Sequence, residues 1–168
     1  GTAAGARHWR RCTLSTHAER SLMKGLLAGL VAGLVATAAK SVAEKLYPPR
    51  THGEPEPPEA LAEKIAGHSL DPATKTAAAE SIHWGFGAAA GAVYGAAAEF
   101  YPAVTAREGA SFGLVLMSLT HQSALPALDL SAPAEEQTAR ERTSEAATHV
   151  LYGVVAERVR RLVRGMLD

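Results

Sequence analysis

Glycine recurs at every fourth position in the stretch HWGFGAAAGAVYGAAAE, residues 83–99, as Gly87, Gly91 and Gly95, and the same step reaches His83 at one end and Glu99 at the other. Each interior glycine costs a helix about 1 kcal/mol relative to alanine, and this segment has few large side chains to offset the loss. A chain that keeps three of them on one ridge uses that ridge for something else. Residues four apart share a helix face, and a face without side chains lets a second backbone come close, as small-xxx-small faces do between helices in lipid. The stretch therefore reads as a helix-packing face with a polar group at each end.

The same ladder occurs three more times. Gly25, Gly29, Gly33, Thr37 and Ser41 form one; Gly109, Gly113, Met117 and His121 another; Glu145, His149, Gly153 and Glu157 the last. Each falls in or beside a run without formal charge: 25–39, 81–98, 109–128 and 146–156. Helical length, charged and proline-rich connections, and the absence of period-two alternation assign all four to helix. The expected fold is all-α: a basic tail over 1–20, then a single four-helix membrane domain over 21–168, with helices at about 22–47, 77–100, 107–128 and 141–164 and Gly/Ala-rich packing faces.

A bilayer span needs roughly 20 mostly apolar residues. The second and third runs qualify on length. Snorkelling lysines and arginines extend the others, with Lys24, Lys40 and Lys45 on the first and Arg158, Arg160 and Arg161 on the fourth. The competing reading of the start is a signal peptide with an apolar region at 25–39 and ATAA as its cleavage site.

The connections differ in character. Residues 47–75 form a proline-punctuated polar loop in which EALAEKIAG supplies about two helical turns stopped by Gly67. YPAVTAREG, 101–109, is a short turn that makes the second and third helices antiparallel neighbours, and Pro126 and Pro133 end or kink the third. Four spans put both termini on one side together with Arg107. Lys and Arg are more numerous there than in the opposite connections, so the positive-inside rule places both termini in the cytoplasm. With 17 Lys plus Arg against 17 Asp plus Glu, no basic field points to nucleic acid. Cys12 is the sole cysteine, so no intrachain disulfide can form.

The polar residues in these helices are the candidate site: Lys40, Glu44, His83, Glu99, His121, Glu145, His149 and Glu157. Ionisable groups at membrane depth face a bundle interior or water and pair with one another or line a path. Lys40 and Glu44 are an i,i+4 pair. Arginines such as Arg107, Arg158 or Arg161 neutralise Glu99 and Glu157 from the helix ends. His83, His121 and His149 lie towards the same end of their helices. Three readings stand: hydrogen bonds to neighbouring helices, a proton-linked or polar conduit, and a histidine-ligated metal or haem site. No metal-ligand spacing is present, and the cofactor is unknown. Tyr47, Trp84, Tyr94, Tyr101 and Tyr152 serve either as an interfacial belt or as core. No phosphate-binding loop, dinucleotide fingerprint, HExxH, CxxC or GxSxG occurs, so nothing supports an enzyme. Ser118, Thr120 and Ser123 beside His121 read as helical hydroxyls bonded back to carbonyls.

Block by block, GLLAGLVAGLVATAAKSVAEKLYPPR, HWGFGAAAGAVYGAAAEFYP, GASFGLVLMSLTHQSALPAL and SEAATHVLYGVVAERVRR resemble the YagU-like family of small bacterial inner-membrane proteins of unknown function. The marks of the resemblance are Lys40, Glu44, Pro48, Pro49, Arg50, His83, Tyr94, Glu99, Pro102, Gly109, Gly113, His121, Pro126, Glu145, His149, Glu157, Arg160 and Arg161. It implies a multi-pass inner-membrane protein tied to envelope or acid stress, with no catalytic residue to transfer. This chain has alanine where the family often has bulky side chains, which suits helices that face protein more than lipid, as inside an oligomer or against a larger membrane complex. The expectation is a non-enzymatic protein that acts through helix association, with lipids and with copies of itself or other membrane-complex subunits as partners; the alternative is a small transporter or proton-linked channel.

Overall fold

The computed structural model describes residues 20–51 and 53–168, so the tail over 1–19 lies outside the described residues. Among the described residues the secondary structure is helical, with no strand. Helix α1 is Leu22–Leu46, α2 Pro57–Ala66, α3 Pro72–Phe100, α4 Ala110–Leu119, α5 Leu125–Ala127 and α6 Ala139–Met166. Local chemistry sets the ends. Ser21, Asp71 and Thr138 cap α1, α3 and α6 by accepting the backbone N–H three residues on. Gly67, at φ 74°, stops α2 in the left-handed region, as the sequence predicts.

Two boundaries correct the four-segment scheme. Helix α3 begins at Pro72, five residues before the expected 77, because Asp71-Pro72 supplies both a cap and a proline in the first turn. The expected single helix over 107–128 is instead a 3-10 segment Pro102–Gly109, α4, a π turn Thr120–Ala124 and α5. At its start Arg107, Glu108 and Gly109 all take positive φ, which no continuous helix tolerates. At its far end the Leu125 N–H donates to the Thr120 carbonyl in the π pattern just before Pro126, which has no N–H to give. Thr120 and Ser123 bond back to the Leu116 and Ser118 carbonyls, at 2.8 and 2.9 Å.

The four ladders mate in two antiparallel pairs. Along α1 and α3, Gly25 meets Glu99, Gly29 meets Gly95, Gly33 meets Gly91, Thr37 meets Gly87, and Ser41 bonds His83 at 3.1 Å. Along α4 and α6, Gly109 meets Glu157, Gly113 meets Gly153, and His121 lies 2.8 Å from Glu145. An added methyl at Gly29 would come within 2.9 Å of the Gly95 backbone, and one at Gly153 within 2.8 Å of the Gly113 nitrogen. Backbone packs on backbone, so each ladder's glycines are used inside the chain. Gly109 is doubly constrained: its φ is 86° and a side chain there would strike Glu157.

Helices α1 and α6 join the pairs through Ala32, Ala36, Tyr152 and Ala156. Tyr94 stacks on Phe112 with ring centroids 4.2 Å apart, and Phe112 leans on Tyr152. Tyr94 and Tyr152 are thus core rather than belt, while Tyr101 is exposed. Lys24 pairs with Asp168 at 3.0 Å, which puts the start of α1 and the chain's last residue at one end, as the alternating topology requires.

Large aliphatic side chains sit outside this core. The buried face of α1 is Gly25, Ala28, Gly29, Ala32, Gly33, Ala36, Thr37 and Lys40. Its exposed face carries Leu27, Leu30, Val31, Leu34, Val35 and Val42. Val93, Leu114 and Val115 are exposed on α3 and α4, whereas Ser144, Glu145, Thr148, His149 and Glu157 are buried. Among the described residues, only α1 is long and apolar enough to cross a membrane by length and composition. Alanine and glycine hold the hydropathy of α3 down, α4 has ten residues, and α6 is charged at both ends.

Candidate functional site

The eight polar candidates fall into two groups, one at each end of the bundle. At the end holding the start of α1 and Asp168, Glu157 is fully buried and saturated. Its carboxylate accepts from the Tyr94 hydroxyl at 2.6 Å, from Arg160 Nε at 2.8 Å and from Arg161 Nε at 2.6 Å. Arg161 also reaches Glu108, which sits in the left-handed turn, at 3.0 Å. Glu99 accepts from Arg164 Nε at 2.5 Å and from the Ser21 N–H at 3.1 Å, tying α3 to α6 and to the start of α1. Arg161 was in the expected set for these carboxylates; Arg160 and Arg164 were not. These charge-assisted bonds satisfy carboxylates that would be costly to bury alone.

The opposite end holds Lys40, Glu44, His83, His121, Glu145 and His149. Here the ladders pass from glycine to side chains: Thr37, then Ser41 against His83, and His121 against Glu145. A cavity of about 520 Å³ opens between the two helix pairs, with Lys40, His83, His121, His149 and Tyr152 in its lining and Leu61, Ile82, Phe86, Leu116 and Leu125 as its apolar walls. Lys40 is paired with Glu44 on the next turn of α1. The His149 Nδ1 lies 2.8 Å from the Glu145 carbonyl and its ring meets that of His121 edge-on at 4.9 Å. The π turn widens the helix at His121 and sets its ring against both Glu145 and His149. Its Nδ1 is at ion-pair distance from Glu145 Oε1 but lies outside hydrogen-bonding angles.

In the cavity's lining Arg50 gathers three carboxylates, of which Glu145 is buried and Glu56 is exposed. Its guanidinium lies 3.0 Å from Glu56, 3.0 Å from Glu141 and 3.0 Å from Glu145, with only 7% of its side chain exposed. The Tyr47-Pro48-Pro49-Arg50 segment carries it into place. Ser144 Oγ donates to the Tyr47 carbonyl at 2.5 Å, Arg140 Nε donates to the Pro48 carbonyl at 3.0 Å, and the Arg140 guanidinium stacks on the Tyr47 ring. Helix α2 follows directly and packs on α3, with Lys64 donating to the Leu128 carbonyl at 2.5 Å. Arg50, Glu141, Arg164 and Tyr152 complete the two groups and are not among the eight candidates. Arg50 had a visible signal, the rigid Pro-Pro step before it; Glu141 and Arg164 look like ordinary helix-surface charges.

Chemically, the cavity lining combines the ammoniums of Lys40 and Lys45, the Arg50 guanidinium, the carboxylates of Glu44, Glu56, Glu59 and Glu80, three imidazoles and an apolar wall. Among the described residues, no group of three or more His, Cys, Asp or Glu side chains is placed to hold a metal ion. His121 and His149 touch edge-on, while His83 is held against Ser41 on α1.

A family model described as a protein of unknown function (DUF1440) matches residues 34–158, which takes in every one of the eight polar residues and the ladders of α3, α4 and α6, but only Thr37 and Ser41 of the ladder on α1. No curated protein and no solved structure matches the chain.

Proposed function

The chain belongs to this family of proteins of unknown function (DUF1440), and from that premise we propose that it is a multi-pass bacterial inner-membrane bundle of the YagU-like kind that acts by association rather than catalysis. The observation that carries the reading is the inverted distribution of side chains. Alanine, glycine and paired charges fill the interior while Leu27, Leu30, Val31, Leu34 and Val35 face outward. In water the large aliphatics would be the first residues buried, and a contiguous apolar face of this kind marks a surface meant for lipid or protein. In lipid the balance changes: aliphatics gain nothing by leaving the hydrocarbon, and close backbone packing with interhelical hydrogen bonds holds helices together. With the glycines occupied within the chain, association with further copies or other subunits falls to the outward faces. Both termini and the 102–109 turn take the cytoplasmic side.

A second reading, a small transporter or proton-linked channel, draws on the convergence of Lys40, His83, His121 and His149 on one cavity. The test is the native mass and subunit content of the particle extracted from source membranes in mild detergent. A multiple of 17.5 kDa or fixed stoichiometry with other membrane subunits supports association. A lone 17.5 kDa chain that restores solute flux in liposomes favours transport.

A further inference from the structure

The cavity at the Pro-rich end has a composition that selects a ligand class. Its walls are apolar: Ile82 and Phe86 from α3, Leu116 from α4, Leu125 from α5 and Leu61 from α2. Its volume of about 520 Å³ falls in the roughly 300–1,000 Å³ range of small-molecule sites. Four carboxylates line it as well, Glu44, Glu56, Glu59 and Glu80, of which Glu44 pairs with Lys40, Glu56 pairs with Arg50 and Glu80 accepts from the Trp84 indole N–H. Lys40 has three N–H groups and engages one carboxylate, Glu44. The Tyr152 hydroxyl already donates to the Gly87 carbonyl at 2.6 Å, and Thr37 and Thr120 donate to the carbonyls of Gly33 and Leu116. Lys45 also lines the cavity but is exposed, so the buried cation with N–H groups left for a newcomer is Lys40.

Arg50 does not compete for this role, because Glu56, Glu141 and Glu145 already surround it. Lys40 is 9% exposed, so an anion reaching it leaves water and gains a charge-assisted bond in a low-dielectric site. One partly compensated ammonium matches one negative charge rather than two. We propose that this cavity binds an amphiphilic monocarboxylate, with the carboxylate on Lys40 in place of Glu44 and the hydrocarbon body along Phe86, Leu116 and Leu125. The site rests on the cavity and does not depend on whether the bundle spans a membrane.

The proposal turns on Glu44 as an internal competitor, and its side chain is a quarter exposed, so it can swing away. The experiment is calorimetric titration of the purified full chain in mild detergent with octanoate, octanol and octylammonium, with the heat of titrating empty micelles subtracted. Octanoate should bind, and octanol and octylammonium should bind at least about tenfold more weakly. Glu44→Gln, which frees the ammonium, should tighten octanoate by about fivefold, and Leu125→Trp, which fills the apolar end, should weaken it by about tenfold. Lys40→Met should abolish the preference for the carboxylate; if that variant does not fold, Glu44→Gln alone decides. Equal binding of the three probes, or octanoate binding that is unchanged or weaker in Glu44→Gln, overturns the proposal. The native-mass result above is independent of all of these outcomes.

Discussion

Replacing Gly91 by alanine tests the mated ladders against a control built into the same helix. The added methyl at Gly91 would lie 2.5 Å from the Gly29 carbonyl oxygen and 2.7 Å from the Gly33 nitrogen, both backbone atoms that cannot rotate away. Ordinary carbon contacts are about 3.5–4.0 Å, so α1 and α3 must part by about 1 Å, which forfeits about a quarter to a half of the dispersion attraction along the contact. Overpacking of this kind costs about 1–3 kcal/mol, and the upper end applies where backbone blocks both sides. Alanine returns about 1 kcal/mol of helix propensity, leaving a net loss of about 2 kcal/mol. Gly85, two positions before Gly87, meets nothing within 4 Å, so Gly85→Ala should gain up to about 1 kcal/mol by propensity alone. Reversible unfolding in mild detergent, followed by circular dichroism, separates the two variants by about 3 kcal/mol on these figures. Equal stability of Gly91→Ala and Gly85→Ala would refute the close-packing argument.

Three other predictions follow from the charge groups. Glu157→Gln leaves Arg160 and Tyr94 without their carboxylate in a fully buried position and should cost about 3–5 kcal/mol in the same unfolding assay; a loss under about 1 kcal/mol would mean the arginines relax to water. Arg50→Gln leaves Glu141 and Glu145 uncompensated, so the segment 47–56 should become protease-sensitive while wild type resists. The Glu63 carboxyl is held below its ordinary range by the Leu70 N–H and then by Lys75. Its contribution to seating α2 is therefore present above the unfolded pKa and lost as pH falls through the lowered folded value. Hydrogen exchange at Leu70 should speed up on acidification, and Glu63→Gln should remove that pH dependence.

Much of the bundle was legible because its packing code is a four-residue step. The ladders through Gly25, Gly91, Gly113 and Gly153 gave the helices and their contact faces, and the structure adds which ladder mates with which. The short 101–109 turn suggests that the helices on either side of it pack as antiparallel neighbours, whereas α3 packs on α1, α4 packs on α6, and α3 meets α4 through the stack of Tyr94 on Phe112. What one-dimensional reading missed is where the backbone departs from regular helix. Arg107 and Glu108 in the left-handed region carry no glycine signal, and Glu108 meets Arg161 on a helix more than fifty residues away. The π turn at Thr120–Ala124 lies just before Pro126 and brings His121 to Glu145, a contact that no local pattern announces. The candidate polar residues were nameable one by one because charge inside an apolar run stands out. Arg50 and Arg164 lie outside those runs, so their long-range pairings with Glu145 and Glu99 were not readable.

The central claim, that the aliphatic faces of this bundle meet lipid, is tested most directly by cysteine labelling in native membranes. In a Cys12→Ser background, single cysteines at Leu30, Val93 and Val115 occupy outward positions on α1, α3 and α4, and a cysteine at Glu59 occupies α2, outside the proposed membrane-embedded helices. The account predicts that a membrane-impermeant maleimide labels the Glu59 position once the outer face is accessible. The three aliphatic positions should resist it until detergent is added, even though each is exposed in the isolated chain. Rapid aqueous labelling at all three aliphatic positions in intact membranes would contradict it.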